Sequence, residues 1–337
     1  YRRDGRIPLS VIWKAHKRGF TAGNWIIMGL DDEKSKAFIS DARYIAGHPF
    51  NGQYGKWIDD KLTLKYMLAG THLDRYMPRY YFMTGENGQV MRLMDCPAEI
   101  DSNDVTGILD LLKEDHVLAV KKMAGSIGEG FYKAEYRDGR FFLNGAEKTD
   151  EAMKAAFVKL KNYLIIEYLF PHEELAEYCP NTCNCLRYLA ARIDGDLRMI
   201  KSYIRLGAVQ SGFVENYNAG GILCYVDQNG YYDGGNIMDM DKGTNIPITE
   251  HPDTGKKLAG RIPEWDEVLR MVGEIGDYFP QLEYMGIDAV ITADRCVKML
   301  EINSLTSLDG LQLLGPIVDK KEIAFLTRGR KGGQVTE

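Results

Sequence analysis

The sequence CVKMLEINS, at residues 296–304, predicts a buried β-strand that ends in polar groups. Glu301 and Asn303 are two positions apart, so their side chains lie on the same face of a strand. Asp288 lies in MGIDAVIT, on the strand expected to pair with this one across a turn near residues 293–295. Three oxygen-bearing side chains at a strand pair suit Mg²⁺, which takes one or two carboxylates and adds water and substrate phosphates. The alternative is a pair of solvated polar residues at a sheet edge.

A glycine-rich sequence, KKMAGSIGEGF, occupies residues 121–131. Glycine lets backbone N–H groups approach phosphate oxygens closely, and the preceding lysine adds positive charge. The Gly-Lys-Ser/Thr signature of a P-loop is absent. A Rossmann fingerprint would open a helix, whereas the strand-like FYKAEY follows here. The segment predicts either a loop that covers phosphates between antiparallel strands or a plain hairpin loop.

The apolar sequence YLIIEYL predicts a buried strand whose end is marked by Glu167 and whose continuation is broken by Pro171. Backbone groups freed at such a crossover can bind the edge of an adenine ring. His172 or Glu174, just beyond, could then reach a ribose. A strand that simply ends at a proline turn is the alternative interpretation.

Two arginines, Arg187 and Arg205, lie on the two arms of a predicted hairpin. The guanidinium group suits bidentate binding of a carboxylate or a phosphate. The following sequence, FVENYNAGGI, supplies amides, including Asn216, and a Gly-Gly pair that lets the backbone approach a ligand. Taken singly, each of these residues is more typical of a solvated surface.

The elements that must position these residues are antiparallel hairpins separated by helices. Hairpin turns are predicted at residues 138–139, 194–195 and 293–295. Helices are predicted for GKWIDDKLTLKYMLAG, for TDEAMKAAFVKLKN with Thr149 as its N-cap, and for PEWDEVLRMVGEIGDYF. This order favours an α+β fold over a doubly wound parallel sheet.

Composition narrows the class of protein. The net charge of −6 argues against nucleic acid as a partner, since nucleic-acid binding usually needs a basic face. No run approaches the 18 apolar residues of a membrane span, and the first 30 residues show no signal-peptide pattern. Six scattered cysteines indicate reduced thiols, and we expect a cytoplasmic location. Cys179, Cys183 and Cys185 lack a fourth ligand at zinc-site spacing.

The order of these motifs resembles the ATP-grasp superfamily over about residues 50–320. The succession is Lys61 before a helix, Lys121 before the glycine loop, then IIEYL, ENYNAGG, GID and LEIN. The segments NTCNCLR, GGI and HPDTG look closest to the sugar-transfer-associated branch. The resemblance implies two α+β subdomains that clamp ATP between antiparallel sheets, with a short helical N-terminal segment.

The resemblance also implies roles for individual residues. Phosphate contacts would come from Lys61 and Lys121, and the covering loop from Gly125, Ser126, Gly128 and Gly130. The adenine pocket would be lined by Glu167, Tyr168 and Leu169, with His172 and Glu174 near the ribose. Asp288, Glu301 and Asn303 would hold Mg²⁺, while Arg187, Arg205 and Asn216 would steady the γ-phosphate or an acyl-phosphate.

The implied segments are an N-terminal helical segment (1–50), the first part of the ATP-grasp module (51–116), a glycine-loop subdomain (117–170), a C-terminal subdomain with the metal site (171–320) and a tail (321–337). The implied reaction is ATP-dependent ligation of a small-molecule carboxylate to an amine through an acyl-phosphate. The name of the branch associates the substrate with a polysaccharide or glycoconjugate pathway. A kinase acting on a hydroxyl and a nucleotide-binding module without catalysis are the alternatives. No Ser-His-Asp or Cys-His pattern competes with this chemistry.

Overall fold

A computed structural model of the chain describes residues 7–123, 130–239 and 243–329. The helices are α1 Leu9–Lys17, α2 Ala22–Ile27, α3 Asp41–Gly47, α4 Lys56–Asp59, α5 Lys61–Leu68, α6 Val105–Asp115, α7 Asp150–Val158, α8 Glu173–Ala176, α9 Trp265–Tyr278, α10 Leu308–Gln312 and α11 Lys320–Leu326. Short 3₁₀ helices cover Lys34–Ala37, Gly52–Gly55, His72–Tyr76, Val209–Ser211 and Tyr217–Ala219.

The strands are β1 Tyr80–Thr84, β2 Val90–Arg92, β3 Val117–Lys122, β4 Tyr132–Arg137, β5 Arg140–Leu143, β6 Ala146–Lys148, β7 Tyr163–Glu167, β8 Leu186–Ile193, β9 Asp196–Leu206, β10 Ile222–Val226, β11 Tyr231–Asp233, β12 Gly235–Met238, β13 Asn245–Ile248, β14 Ala259–Arg261, β15 Tyr284–Ile291 and β16 Val297–Asn303.

Two antiparallel sheets organise the chain. The N-terminal sheet has the order β2-β1-β7-β3-β4-β5-β6, and the C-terminal sheet has the order β13-β12-β10-β9-β8-β15-β16. Strands β11 and β14 form a separate two-stranded ribbon. The predicted α+β fold with two antiparallel sheets is confirmed.

The predicted hairpin turns are present and have a local cause. Asp138 and Gly139, between β4 and β5, both have positive φ values of 51° and 75°. Asp194 and Gly195, between β8 and β9, have φ values of 56° and 93°. Two successive positive φ values are typical of the tight turns that match the twist of a two-stranded ribbon, and Asp-Gly adopts them readily.

A continuous apolar core holds the two sheets in one arrangement. It joins Ile58 and Leu64 of the α4–α5 region to Leu164 of the N-terminal sheet and to Ile204 of the C-terminal sheet. Helix α9 adds a buried face that includes Trp265. Because α4 and α5 pack against both sheets, side chains at the start of α5 lie where the sheets approach each other.

The N-terminal helical segment is fastened to the C-terminal sheet by buried polar side chains. The Oδ1 atom of Asn51 accepts hydrogen bonds from the amides of Glu283 and Tyr284, both at 2.9 Å. Gln312 pairs with the backbone of Ile39 through two 2.9 Å hydrogen bonds. Tyr44 donates its hydroxyl hydrogen to, or accepts one from, the Tyr284 hydroxyl at 2.6 Å.

Three predicted boundaries differ from the structure. The single helix expected from residue 55 to Gly70 is split into α4 and α5, because Asp60 is extended and its carboxylate accepts the Thr63 amide as an N-cap. The boundary expected at residues 116–117 falls inside one sheet, since β1 pairs with β7. The expected tail begins with α11, whose Phe325 is buried in the core.

None of the helices in the described ranges has the length and apolar character needed to cross a membrane. All six cysteines lie within those ranges, and none forms a disulfide.

Candidate functional site

Three neighbouring strands of the C-terminal sheet bring the predicted acidic residues together. In the register of β15 with β16, Asp288 lies opposite Glu301 and Gly286 lies opposite Asn303. On its other side, Asp288 lies opposite Arg187 of β8. The register of β15 against β16 shifts directly after Asp288. The pairing predicted between the GID and LEIN segments is therefore present.

Asp288 is the centre of a buried ion cluster. All eight residues of β15 are buried, so its carboxylate would be strongly disfavoured without partners. Arg187 contacts it through both Nε and Nη2, the latter at 2.8 Å, and Arg205 donates from Nη2 at 3.0 Å. Burial by itself would raise the pKa of Asp288, but the two guanidinium groups hold that pKa well below its usual range.

Glu301 and Asn303 lie beside this cluster and face a lysine from the N-terminal part of the chain. The Asn303 amide donates to Glu301 Oε1 at 3.2 Å. Lys61, the first residue of α5, places its Nζ 2.7 Å from Glu301 Oε2. Asp59 reinforces the contact, since its carboxylate accepts the Ser304 amide at 2.8 Å. The end of β16 and the start of α5 are thus docked together.

Lys121 approaches the same carboxylate from the N-terminal sheet. It lies on β3, opposite Leu164 of β7. Its Nζ also lies 5.8 Å from the centre of the Tyr80 ring. Burial, together with the positive charge of Lys61, lowers the pKa of Lys121 to about 8, although Glu301 opposes the shift. Two lysines at one place, the more buried of which has a lowered pKa, favour a polyanionic ligand.

The glycine loop is only partly within the described residues. Gly125, Ser126 and Gly128 lie outside them. Gly130 is described and has a φ of 75°. A Cβ atom there would lie 2.7 Å from the Tyr163 hydroxyl and 2.8 Å from Cε of Lys122. This position therefore requires glycine both for its conformation and for its space.

An apolar surface lies beside the charged residues, at the place expected for adenine. Leu169, Cys185 and Val290 form a buried cluster that Cys183 and Leu300 extend. Burial raises the pKa of the Cys183 thiol to about 12, so the thiol is neutral. Apolar, neutral side chains near a cationic cluster suit a nucleotide base with its phosphates.

The neighbouring predicted residues take several positions. Tyr168 is buried, and Lys133 Nζ lies 5.0 Å from the centre of its ring. Glu167 ends β7, and its Oε2 accepts the Arg79 amide at 3.0 Å. Lys133 therefore lies over the predicted adenine pocket, although it was not among the residues predicted from the sequence. The feature that could have indicated it is the one lysine within the FYKAEY strand.

The two predicted ribose ligands are placed differently. His172 is 1% exposed, and its Nδ1 accepts the Glu174 amide at the start of α8. His172 therefore caps the N-terminus of α8, and its contact with a ribose stays a prediction. Glu174 is exposed on α8.

The loop after β9 contributes a residue that the sequence interpretation did not select. Glu215 is half-buried, and its Oε1 lies 3.9 Å from Arg205 Nη2. Burial raises the pKa of Glu215, and Arg205 only partly offsets that effect. Its neighbour Asn216 accepts the Asn218 amide at 3.0 Å as the cap of a 3₁₀ helix. An acid next to amides and glycines, ten residues after Arg205, was the available signal.

The site offers few of the oxygen ligands that Mg²⁺ requires. Within the described parts of the chain, no three His, Cys, Asp or Glu side chains form a group able to hold a metal. Glu301 and Asn303 supply adjacent oxygen-bearing groups, which fits an ion that takes few protein ligands and fills its shell with phosphates and water. The Asp288 carboxylate already accepts three hydrogen bonds from Arg187 and Arg205. The residues therefore fit Mg²⁺ bound together with a nucleotide.

Comparisons with solved structures return ligases and synthetases at low sequence identity. The ligase PsnB with its minimal precursor is 13% identical, with a TM-score of 0.41 and coverage of 80% of this chain and 60% of that chain. D-alanyl-alanine synthetase A from Vibrio cholerae O1 is 12% identical, with a TM-score of 0.41 and coverage of 80% and 64%. An L-amino acid ligase from Bacillus licheniformis is 9% identical, with a TM-score of 0.41 and coverage of 81% and 48%.

The chain spans between 45% and 64% of the length of these and the neighbouring structures. A search of proteins with curated descriptions found none that matches. The model of the family described as sugar-transfer associated ATP-grasp matches residues 45–321, which include every described residue of the site. The chain is therefore a member of the sugar-transfer associated ATP-grasp family.

Proposed function

We propose that the protein is an ATP-dependent carboxylate–amine ligase that acts through an acyl-phosphate and releases ADP and phosphate. The observation that carries the proposal is the meeting of Lys61, Lys121 and Glu301 between the two sheets. Lys61 lies 2.7 Å from Glu301, and Lys121 is close enough to Lys61 for its pKa to fall. A triphosphate is a polyanion whose oxygens could contact both lysines at once.

The proposed binding mode assigns the base and the phosphates to different parts of the site. The apolar surface around Leu169 and Leu300 would receive the adenine, with Lys133 above it. Lys61 and Lys121 would bind phosphate oxygens, and the loop that ends at Gly130 would cover them. Glu301 and Asn303 would hold Mg²⁺, whose positive charge would offset that of the phosphates.

Phosphoryl transfer needs alignment and charge stabilisation more than a covalent nucleophile. A substrate carboxylate would attack the γ-phosphorus, and the bond from that phosphorus to the ADP oxygen would break. Arg205 donates to Asp288 at 3.0 Å and would stabilise the transferred phosphoryl group. Arg187 donates to the same carboxylate. The amine would then attack the acyl carbon, phosphate would leave, and the nitrogen would lose a proton. Exclusion of water by the covering loop would protect the acyl-phosphate from hydrolysis.

The proposed substrates are a small-molecule carboxylate and an amine. The family description associates this group of proteins with sugar transfer, and on that basis we propose that one substrate belongs to a polysaccharide or glycoconjugate pathway in the cytoplasm. The loops at residues 206–222 and 231–256 would select the acceptor.

The test is incubation of the purified protein with ATP, Mg²⁺ and matrices of carboxylic acids and amines, with ADP and inorganic phosphate measured separately. A ligase forms both products in equal amounts only when acid and amine are present together. A kinase forms ADP with a phosphorylated product and no free phosphate, and that result would replace the proposal.

Variants at the site link the activity to these residues. Lys121→Ala and Glu301→Ala are expected to lower turnover at least 100-fold while the protein stays folded. Lys161→Ala and Glu151→Ala, on the exposed surface, are the matched controls and should retain full activity. Full activity in folded Lys121→Ala and Glu301→Ala proteins would refute the assignment.

A further inference from the structure

Gly207 is held on both sides of its backbone by buried side chains. It follows Arg205 by two residues, where the chain leaves β9 and enters the loop at residues 207–221. Its amide donates to Asn184 Oδ1 at 3.0 Å. Its carbonyl accepts from His251 Nε2 at 2.8 Å. Movement of Gly207 would break two buried hydrogen bonds, which makes the entry to the loop rigid.

Asn184 is a fixed support for this contact. It is fully buried, and its Nδ2 donates to the carbonyls of Leu175 at 3.0 Å and Cys179 at 2.8 Å. The hydroxyl of Thr182 donates to its Oδ1 at 3.0 Å. Because the amide is bonded at both of its polar atoms, it cannot rotate without leaving buried groups unsatisfied.

His251 belongs to a turn that holds the loop at two points. Its Nδ1 accepts the Asp253 amide at 3.3 Å, so the proton resides on Nε2 and is donated to Gly207. The carboxylate of Asp253 accepts the Val209 amide at 2.7 Å. The turn that contains His251 and Asp253 therefore fixes residues 207 and 209 together.

Steric contacts and hydrogen bonds restrict the backbone at both ends of the 207–221 loop. A Cβ atom on Gly207 would lie 2.4 Å from Oγ1 of Thr182, so no other residue fits there without a shift. At the exit, Gln210 Nε2 donates to the Gly220 carbonyl at 3.1 Å, and the Gly221 amide donates to the Asn216 carbonyl at 2.9 Å. Glu215 and Asn216 are carried between these fixed points.

We propose that His251, supported by Asn184 and Asp253, is a positioning residue for the terminal-phosphate part of the site. It would touch no ligand, but it would fix where Arg205 and the 207–221 loop present their polar groups. The inference rests on the proposed function, in which Arg205 stabilises the transferred phosphoryl group, and on the phosphate role expected for Asn216. Lys61, Lys121 and the apolar adenine surface lie on other elements and would not depend on His251.

The test uses binding of ADP and of the non-hydrolysable analogue AMP-PNP, each with Mg²⁺, measured by calorimetry. The ratio of the two dissociation constants isolates the contribution of the terminal phosphate. We expect the wild-type protein to prefer AMP-PNP. His251→Leu should lower that preference at least tenfold and change the affinity for ADP less than twofold. His251→Gln, whose amide keeps an N–H donor, should restore most of the preference.

The matched control is His72→Leu, which removes a histidine that is 61% exposed and 3.7 Å from Glu274. It should bind both nucleotides like the wild type. If His251→Leu does not fold, Asp253→Ala tests the same point, because it removes only the bond to the Val209 amide from an exposed position.

Each other result has a defined meaning. An unchanged preference in folded His251→Leu would overturn the inference, as would an equal loss of affinity for both nucleotides. A wild-type protein that binds both nucleotides equally well would overturn it too, while nucleotide binding would stand. A wild-type protein that binds neither would refute the proposed function itself.

Discussion

Replacing Asp288 by asparagine is the most direct test of the charge arrangement in the site. The change keeps the shape of the side chain but removes the negative charge shared by Arg187 and Arg205. Arg187 then has no carboxylate partner among those given by the structure, whereas Arg205 keeps Glu215 at 3.9 Å. Removing one partner of a buried ion pair costs roughly 3–5 kcal/mol. Because Glu215 compensates in part, we expect about 3 kcal/mol.

The assay is urea unfolding at pH 7, followed by circular dichroism, together with thermal melting. At about 2–3 °C per kcal/mol, the midpoint of melting should fall by roughly 6–9 °C. AMP-PNP should stabilise the variant more than the wild type, since its phosphates would supply negative charge to the uncompensated arginines. The matched control is Asp196→Asn, which removes a carboxylate that is 77% exposed and 3.7 Å from Arg198. Its effect should stay below about 0.5 kcal/mol.

The pH dependence has a definite sign. The pKa of Asp288 is lower in the folded than in the unfolded chain. Its stabilisation is therefore present above the unfolded pKa, near 4, and is lost as pH falls through the folded value. The difference between wild type and Asp288→Asn should shrink below about pH 4. A variant as stable as Asp196→Asn at pH 7 would contradict the reasoning.

Three further predictions concern the phosphate site. Without a ligand, the pKa of Lys121 is about 8, and a bound phosphate would raise it. The affinity for AMP-PNP should therefore fall as pH rises above 8. Calorimetry should show proton uptake on binding in the wild type and none in Lys121→Ala. Glu301→Gln should raise the Mg²⁺ concentration needed for tight AMP-PNP binding at least roughly tenfold. The control Glu147→Gln, on the surface, should leave that concentration unchanged. An unchanged Mg²⁺ requirement in Glu301→Gln would show that Glu301 is not a metal ligand. Gly130→Ala should lower the free energy of unfolding by more than Gly139→Ala does. Both glycines have a φ of 75°, but only at Gly130 would an added Cβ meet other atoms within 4 Å. Equal urea midpoints for the two variants would contradict this prediction.

Local sequence signals account for most of the fold. The Asp-Gly pairs fix hairpin turns because both positions adopt positive φ readily. Thr149 begins α7 as its N-cap, with its hydroxyl accepting the Ala152 amide at 3.2 Å. The spacing of Glu301 and Asn303 placed both on one face of β16. These inferences hold because each depends on neighbours within a few residues.

Other features depend on contacts far apart in sequence and could not be read locally. Asp60 looked like part of one continuous helix, yet its capping bond to Thr63 splits that helix and turns Lys61 toward Glu301, 240 residues away. His172 looked available to a ligand, but it is buried in the structure, and its backbone amide donates to the Ile291 carbonyl of β15. Glu215 looked like an ordinary loop acid until the loop placed it near Arg205.

The sequence by itself determined the hairpins, the order of the motifs along the chain and the types of residue that supply the site. These features follow from backbone propensity and from the alternation of side chains along a strand, which are local properties. The tertiary structure alone decided which charges meet. It paired Asp288 with two arginines, left Glu301 and Asn303 beside Lys61, and tied the loop after Arg205 to His251. Electrostatic energy depends on the distance between charges and on their burial, not on their separation along the chain. Only the folded structure therefore decides which groups are charged and which of them contact each other.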